Sequence, residues 1–148
     1  MDIRAALFLS AALLAANGPA CAADYVSVAD GPTILYDAPS LKAKKLFVAS
    51  RHLPLEQVVK LEGWSKVRDS AGVMAWIEKR ALSNRRFVVV TAGISAIRQS
   101  PDEQAPALVQ TNKQVALEWL ENTGAGWLKV RHQDGVAGYI RTSEAWGG

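Results

Sequence analysis

Residues 63–68 read Gly-Trp-Ser-Lys-Val-Arg, and residues 126–131 read Gly-Trp-Leu-Lys-Val-Arg. Each block is followed by a short loop ending in glycine, Gly72 or Gly135, and then by a closing isoleucine, Ile77 or Ile140. Upstream the match continues at an offset of 62, one less than the offset of the two blocks. It pairs Tyr25 with Phe87, Gly31 with Gly93, Pro39 with Pro101, Leu46 with Leu108, and Leu55-Glu56 with Leu117-Glu118. One pattern written twice, with a single inserted residue, is the mark of a duplicated folding unit.

Each copy reads as a series of short strands. In the first these are Tyr25–Val28, Thr33–Tyr36, Leu46–Ala49, Leu55–Leu61, Trp64–Arg68 and Val73–Ile77. In the second they are Phe87–Val90, Ser95–Arg98, Leu108–Thr111, Val115–Leu120, Trp127–Arg131 and Val136–Ile140. The segments are rich in β-branched and aromatic residues and are separated by Gly, Pro, Asp and Asn, the spacing of a small barrel. Asp69–Gly72 and His132–Gly135 are hairpin loops whose final glycine can take a positive φ. No segment beyond the N-terminus has the length and 3.6 period of a stable helix. The expected fold is all-β: two tandem small barrels, at residues 25–84 and 86–146. Units this small are individually marginal, and Ser83-Asn84-Arg85-Arg86 is no flexible spacer, so the two barrels are expected to pack together.

Residues 1–22 read as a secretory signal: a short start with Arg4, an apolar run from Ala5 to Ala16, a break at Asn17-Gly18-Pro19, and small residues at Ala20 and Ala22. The apolar run is too short to cross a hydrocarbon core of roughly 30 Å, so no stable membrane insertion is expected. Cleavage after Ala22 would release a periplasmic or secreted chain without the single cysteine, Cys21, and so without a disulfide. Gly18 stands where a lipoprotein signal carries leucine, which weighs against a lipid on Cys21.

The Gly-Trp-x-Lys-Val-Arg block, its loop and the following Gly-x-x-Gly/Ala-aromatic-Ile resemble the second half of a bacterial SH3 domain. Ile97-Arg98-Gln-Ser-Pro101, and more loosely Leu35-Tyr36-Asp-Ala-Pro39, resemble its first half. The resemblance spans both repeats and implies two SH3-like barrels in an envelope protein. Tyr36 departs from the pattern that Arg98 fits, Ala38 and Ser100 replace a usual glycine, and Ala75 replaces the glycine kept at Gly138.

Strand alternation assigns faces. With Val67 inward, Trp64, Lys66 and Arg68 point out; Val73, Ala75 and Ile77 point in, and Trp76 out. In the second copy Val130, Val136 and Ile140 point in, while Trp127, Lys129, Arg131 and Tyr139 point out. The candidate ligand-binding groove therefore comprises Trp64, Trp76, Trp127, Tyr139, Tyr36, Arg98, Lys66 and Lys129. Aromatic faces beside cations can stack on apolar ligand surface and pair with carboxylates. The same aromatics are equally suited to closing a small core or an interface between barrels. Trp119, which replaces Gln57, is expected to fill the second core or that interface, and Trp146 to cap the second barrel.

No nucleophile elbow, His-Glu-x-x-His helix or Walker loop is present. His52 and His132 stand apart in the sequence, with His132 read as a solvated turn residue, and no metal or cofactor site is expected. The net charge of +3 is not gathered into a basic stripe, so nucleic acid is an unexpected partner. The reading is a monomeric, non-catalytic exported binding module directed at peptidoglycan. The alternative is a periplasmic protein-protein interaction adaptor.

Overall fold

The computed structural model describes residues 22–148. The expected signal sequence, apart from Ala22, lies outside the described residues. The rest is all-β, as the alternation pattern requires.

The first barrel contains β1 (Tyr25–Val28), β2 (Thr33–Tyr36), β3 (Lys45–Ala49), β4 (Pro54–Lys60), β5 (Trp64–Arg68), β6 (Met74–Glu78) and β7 (Leu82–Ser83). A 3-10 turn at Lys79–Ala81 precedes β7. The second contains β8 (Phe87–Val90), β9 (Ile94–Arg98), β10 (Ala107–Asn112), β11 (Ala116–Gly124), β12 (Trp127–Arg131), β13 (Ala137–Arg141) and β14 (Ala145–Trp146), with a 3-10 turn at Thr142–Glu144. Each set forms one antiparallel sheet, in the orders β3-β2-β6-β5-β4-β1-β7 and β10-β9-β13-β12-β11-β8-β14. The identical order in both sheets is the structural form of the sequence repeat. The returning strands β7 and β14 were not legible in the sequence, since two residues carry no periodic signal.

Each sheet wraps its own apolar core. Val28, Leu35, Leu55, Val67 and Ile77 fill the first. Val90, Ile97, Leu117, Val130 and Ile140 hold the matching places in the second. Two expected inward residues do not belong there. Val73 is 44% exposed and Val136 is half-buried. Both lie in the hairpin turn, before β6 and β13 begin, where the Asp69 Oδ1 and Asp134 Oδ1 atoms accept their backbone N–H groups.

The inserted residue is accommodated as a second bulge. Both β4 and β11 are irregular once, between Gln57 and Val59 and between Trp119 and Glu121. Only β11 is irregular again, between Asn122 and Gly124, where the Thr123 hydroxyl donates to the Trp127 carbonyl at 2.9 Å. A bulge absorbs one extra residue without reversing the side-chain faces beyond it. The replacement of Gln57 by Trp119 also has a partner change. Gln57 Nε2 donates to the buried Ser65 Oγ at 3.0 Å, whereas the corresponding pair in the second barrel, Trp119 and Leu128, joins the apolar core.

The two barrels touch through the linker and its surroundings. The Arg85 carbonyl accepts from Ser27 Oγ at 2.8 Å, and the Arg86 carbonyl accepts from the Trp119 amide at 2.9 Å. The Arg86 guanidinium lies 5.3 Å from the Tyr25 ring centre and 4.9 Å from that of Trp119. His52 stacks on Phe87 at 4.1 Å, and Trp146 meets Tyr25 edge-on at 5.2 Å. Trp146 therefore contacts the first barrel as well as closing its own. Glu118 Oε1 accepts from Arg85 at 3.0 Å, and its Oε2 from Arg131 at 3.1 Å.

Two groups make this contact sensitive to acid. The Arg85 hydrogen bond, aided by Arg131 and opposed by burial, holds the Glu118 carboxyl below its ordinary 4.5. Burial first, then Arg51 and Arg85, lowers His52 from 6.5. In both cases the unfolded chain binds more protons between the folded and ordinary values. The stability is thus present above 6.5 for His52 and above 4.5 for Glu118, and is lost as pH falls through each window.

Glu118→Gln should cost about 1 kcal/mol near neutral pH, and urea unfolding should show that gap closing as pH falls below 4.5. A gap independent of pH would exclude the ionic interaction as its source. A second expectation concerns Gly138, where an added Cβ would lie 2.5 Å from the Arg98 carbonyl and 2.7 Å from Ile97 Cγ2. The first copy has Ala75 in place of Gly138 and Leu35 in place of Ile97, and leucine lacks that branch methyl. Gly138→Ala should lower stability by about 1–3 kcal/mol in the same assay.

Candidate functional site

Pairing across the sheet brings the eight candidate residues into two equivalent clusters, one per barrel. In the first, Tyr36 stands opposite Trp76, and Trp76 opposite Lys66. In the second, Arg98 stands opposite Tyr139, and Tyr139 opposite Lys129. Side chains in such a row share one face of the sheet. Trp64 and Trp127 begin β5 and β12, two pairs further along and so on the same face, opposite Glu78 and Arg141.

The two clusters are built differently. Tyr36, only 6% exposed, meets Trp64 edge-on with ring centres 5.5 Å apart. That pair is an aromatic contact satisfied within the protein, worth about 0.5–1.5 kcal/mol beyond its buried area. Where the first copy has tyrosine, Arg98 of the second sends Nη1 to the Ala105 carbonyl at 2.8 Å, tying down the loop between β9 and β10. Where the first copy has Glu78, the second has Arg141, whose guanidinium lies 4.8 Å from the Trp127 ring centre. Arg141 is also paired with Glu103 of the same loop.

Trp127 is consequently not an exposed platform. The alternation pattern placed it on the outer face, and it does lie off the core cluster, but only 5% of its surface is accessible beside Arg141. It forms part of one wall of a groove of about 730 Å³, together with Arg141 and Glu144. The opposite wall is Ile94, Ala96 and Arg98 on β9. Of the eight candidates, Trp127 and Arg98 line this groove, while Tyr139 and Lys129 sit half-buried in the adjoining row. Arg141 and Glu103 were missed by sequence reading. The Glu78-to-Arg141 difference between the copies was their available signal, as the Tyr36-to-Arg98 difference was for Arg98.

The groove offers the guanidinium groups of Arg98 and Arg141, the carboxylates of Glu103 and Glu144, and the little of Trp127 that is accessible. It can therefore hold an extended polar chain by hydrogen bonds and a carboxylate by a guanidinium fork. Among the described residues, no group of three or more His, Cys, Asp or Glu side chains could hold a metal ion, and no helix is long and apolar enough to cross a membrane.

No curated protein matches the chain. Among solved structures it is similar to NlpC1 and NlpC2 from Trichomonas vaginalis, each at 13% identity, with TM-scores of 0.40 and 0.39. It is also similar to an NlpC/P60 family protein from Bacillus cereus ATCC 10987, at 15% identity and a TM-score of 0.38. These alignments cover 93%, 83% and 82% of this chain and 50%, 47% and 55% of the others, so the chain spans about half their length. The bacterial SH3 domain pattern matches it twice, at residues 29–84 and 92–147, one match to each barrel, beginning after β1 and after β8. With more than half of its length matched in this way, the chain belongs to the bacterial SH3 domain family, as a tandem pair.

Proposed function

We propose that this chain is a non-catalytic, exported binding module that associates with the cell wall, and that it engages the peptide portion of peptidoglycan through its second barrel. The observation that carries the reading is the groove beside Trp127, where Arg98 and Arg141 are each fastened before any ligand arrives. Side chains already ordered lose less freedom on binding, which favours affinity. Stem peptides bring free carboxylates and an extended backbone, the two features that such a groove accepts. Domains of this family are associated with peptidoglycan, and the N-terminal signal pattern would deliver the chain to that compartment.

In this reading the barrels divide the labour. The Tyr36–Trp64 pair stabilises the first barrel and leaves recognition to the second. A protein-adaptor role in the periplasm is the second reading, favoured by the apolar side chains on the edge strands. Val48 on β3 is 63% exposed, and Leu108 on the other edge strand, β10, is exposed too. An exposed edge can accept a strand from another chain.

Co-sedimentation of residues 23–148 with insoluble peptidoglycan distinguishes the readings. Pelleting should persist at moderate salt and weaken about tenfold in an Arg98→Gln/Arg141→Gln variant shown to be folded, a loss of about 1.4 kcal/mol. A Lys42→Gln/Lys45→Gln variant, with the same charge removed elsewhere, should pellet like the parent. Equal losses in both would reduce the effect to general charge attraction, and no pelleting at all would favour the adaptor reading.

A further inference from the structure

A second concave site lies between the barrels, away from the groove just described. Its volume is about 610 Å³. Arg51 and His52 enter from the turn after β3 of the first barrel, and Arg85 from the linker. Glu118, Arg131 and His132 enter from the second barrel. Three guanidinium groups thus face one carboxylate, a surplus of two positive charges within the lining. Asp30 sits 3.7 Å from Arg51 and is almost wholly solvated, so it offsets little of this. Asp134, beside His132, is taken up by its own turn, accepting from the Val136 amide at 3.0 Å.

Glu118 does more than neutralise. One of its oxygens holds Arg85 and the other holds Arg131, so the two forks are fixed side by side. Each guanidinium carries five N–H donors, and a single contact to Glu118 leaves most of them for another acceptor. Arg51 Nε donates to His52 Nε2 at 3.0 Å, which keeps that imidazole nitrogen an acceptor and anchors Arg51 at the cleft's other lip. His52 is itself stacked on Phe87. The arrangement is a ring of oriented donors contributed by both barrels, with no single sequence segment supplying more than two of them.

We infer that the cleft between the barrels is a second binding site, for an anionic oxygen group, carboxylate or phosphate, borne by a molecule that bridges Arg51, Arg85 and Arg131. Guanidinium forks match both groups bidentately, and the shared chemistry is a planar or tetrahedral oxyanion. Because the site exists only where the barrels meet, its ligand holds them together. The site goes beyond the proposed wall-binding groove and uses none of its residues.

The test is an amide chemical-shift titration of residues 23–148 with two probes, pyrophosphate and tricarballylate, at fixed ionic strength. Saturable shifts clustered at His52, Ala116 and Gly135 are expected for at least one probe, and the stronger response identifies phosphate or carboxylate as the preferred source. Arg131→Gln should weaken binding about tenfold. Arg51→Gln, on the exposed lip of the other barrel, should weaken it as well and carries little folding risk. Lys42→Gln, in the loop before β3, and the Arg98→Gln/Arg141→Gln groove variant should leave it unchanged. Absence of saturable shifts with both probes would overturn the inference, as would equal weakening by Lys42→Gln.

Discussion

The carbonyls of Arg85 and Arg86 are consecutive in sequence and bonded to different barrels, one to Ser27 and the other to Trp119. That division fixes where the second barrel begins relative to the first. Between the rings of Tyr25 and Trp119, the Arg86 guanidinium contributes a cation–π contact to each side, while its Nη2 donates to the Gly147 carbonyl. Cation–π contacts of this kind are worth about 0.5–2 kcal/mol each, depending on burial. For two barrels that are each marginal in size, a tethered contact of this sort is a substantial addition. The inter-barrel cleft and the edge-on Tyr25–Trp146 contact both follow from it.

Duplication followed by specialisation explains the remaining asymmetry. The shared parts are those a small barrel cannot dispense with: the strand order, the first β-bulge, the cross-strand Glu56–Arg68 and Glu118–Arg131 pairs, and the aliphatic core. The differences fall on the outer face and the linker side. A polar Gln57–Ser65 pair becomes Trp119–Leu128, and an aromatic Tyr36–Trp64 contact gives way to arginines around Trp127. The first change enlarges the apolar contact near the joint. The second opens a charged groove.

The all-β architecture and the face of most strand residues were legible because period-two alternation is a local property. Trp64-Ser-Lys-Val-Arg68 alone orients its strand, and Val67 is buried as expected. Alternation failed where it was carried one residue too far, at Val73, since an Asp turn and a strand both allow an extended backbone. It also could not say what covers an outward side chain. Trp127 faces away from the core and is nonetheless buried, because Arg141 and the loop bearing Glu103 meet over it from elsewhere in the chain. The cleft was less legible still. His52 and His132 read as isolated residues, and 80 positions separate Arg51 from Arg131, so only the fold brings these groups together.

The two oxygens of Glu118 belong to two levels of organisation. One closes a cross-strand pair inside the second barrel, and the other reaches the linker that positions the first. A carboxylate shared in this way is a thermodynamic link. Whatever draws Arg131 away frees charge for Arg85, and whatever loosens Arg85 strengthens the hold on Arg131. The angle between the barrels and the chemistry at the end of β12 therefore share a single free energy, which makes the joint a point of communication as well as of attachment.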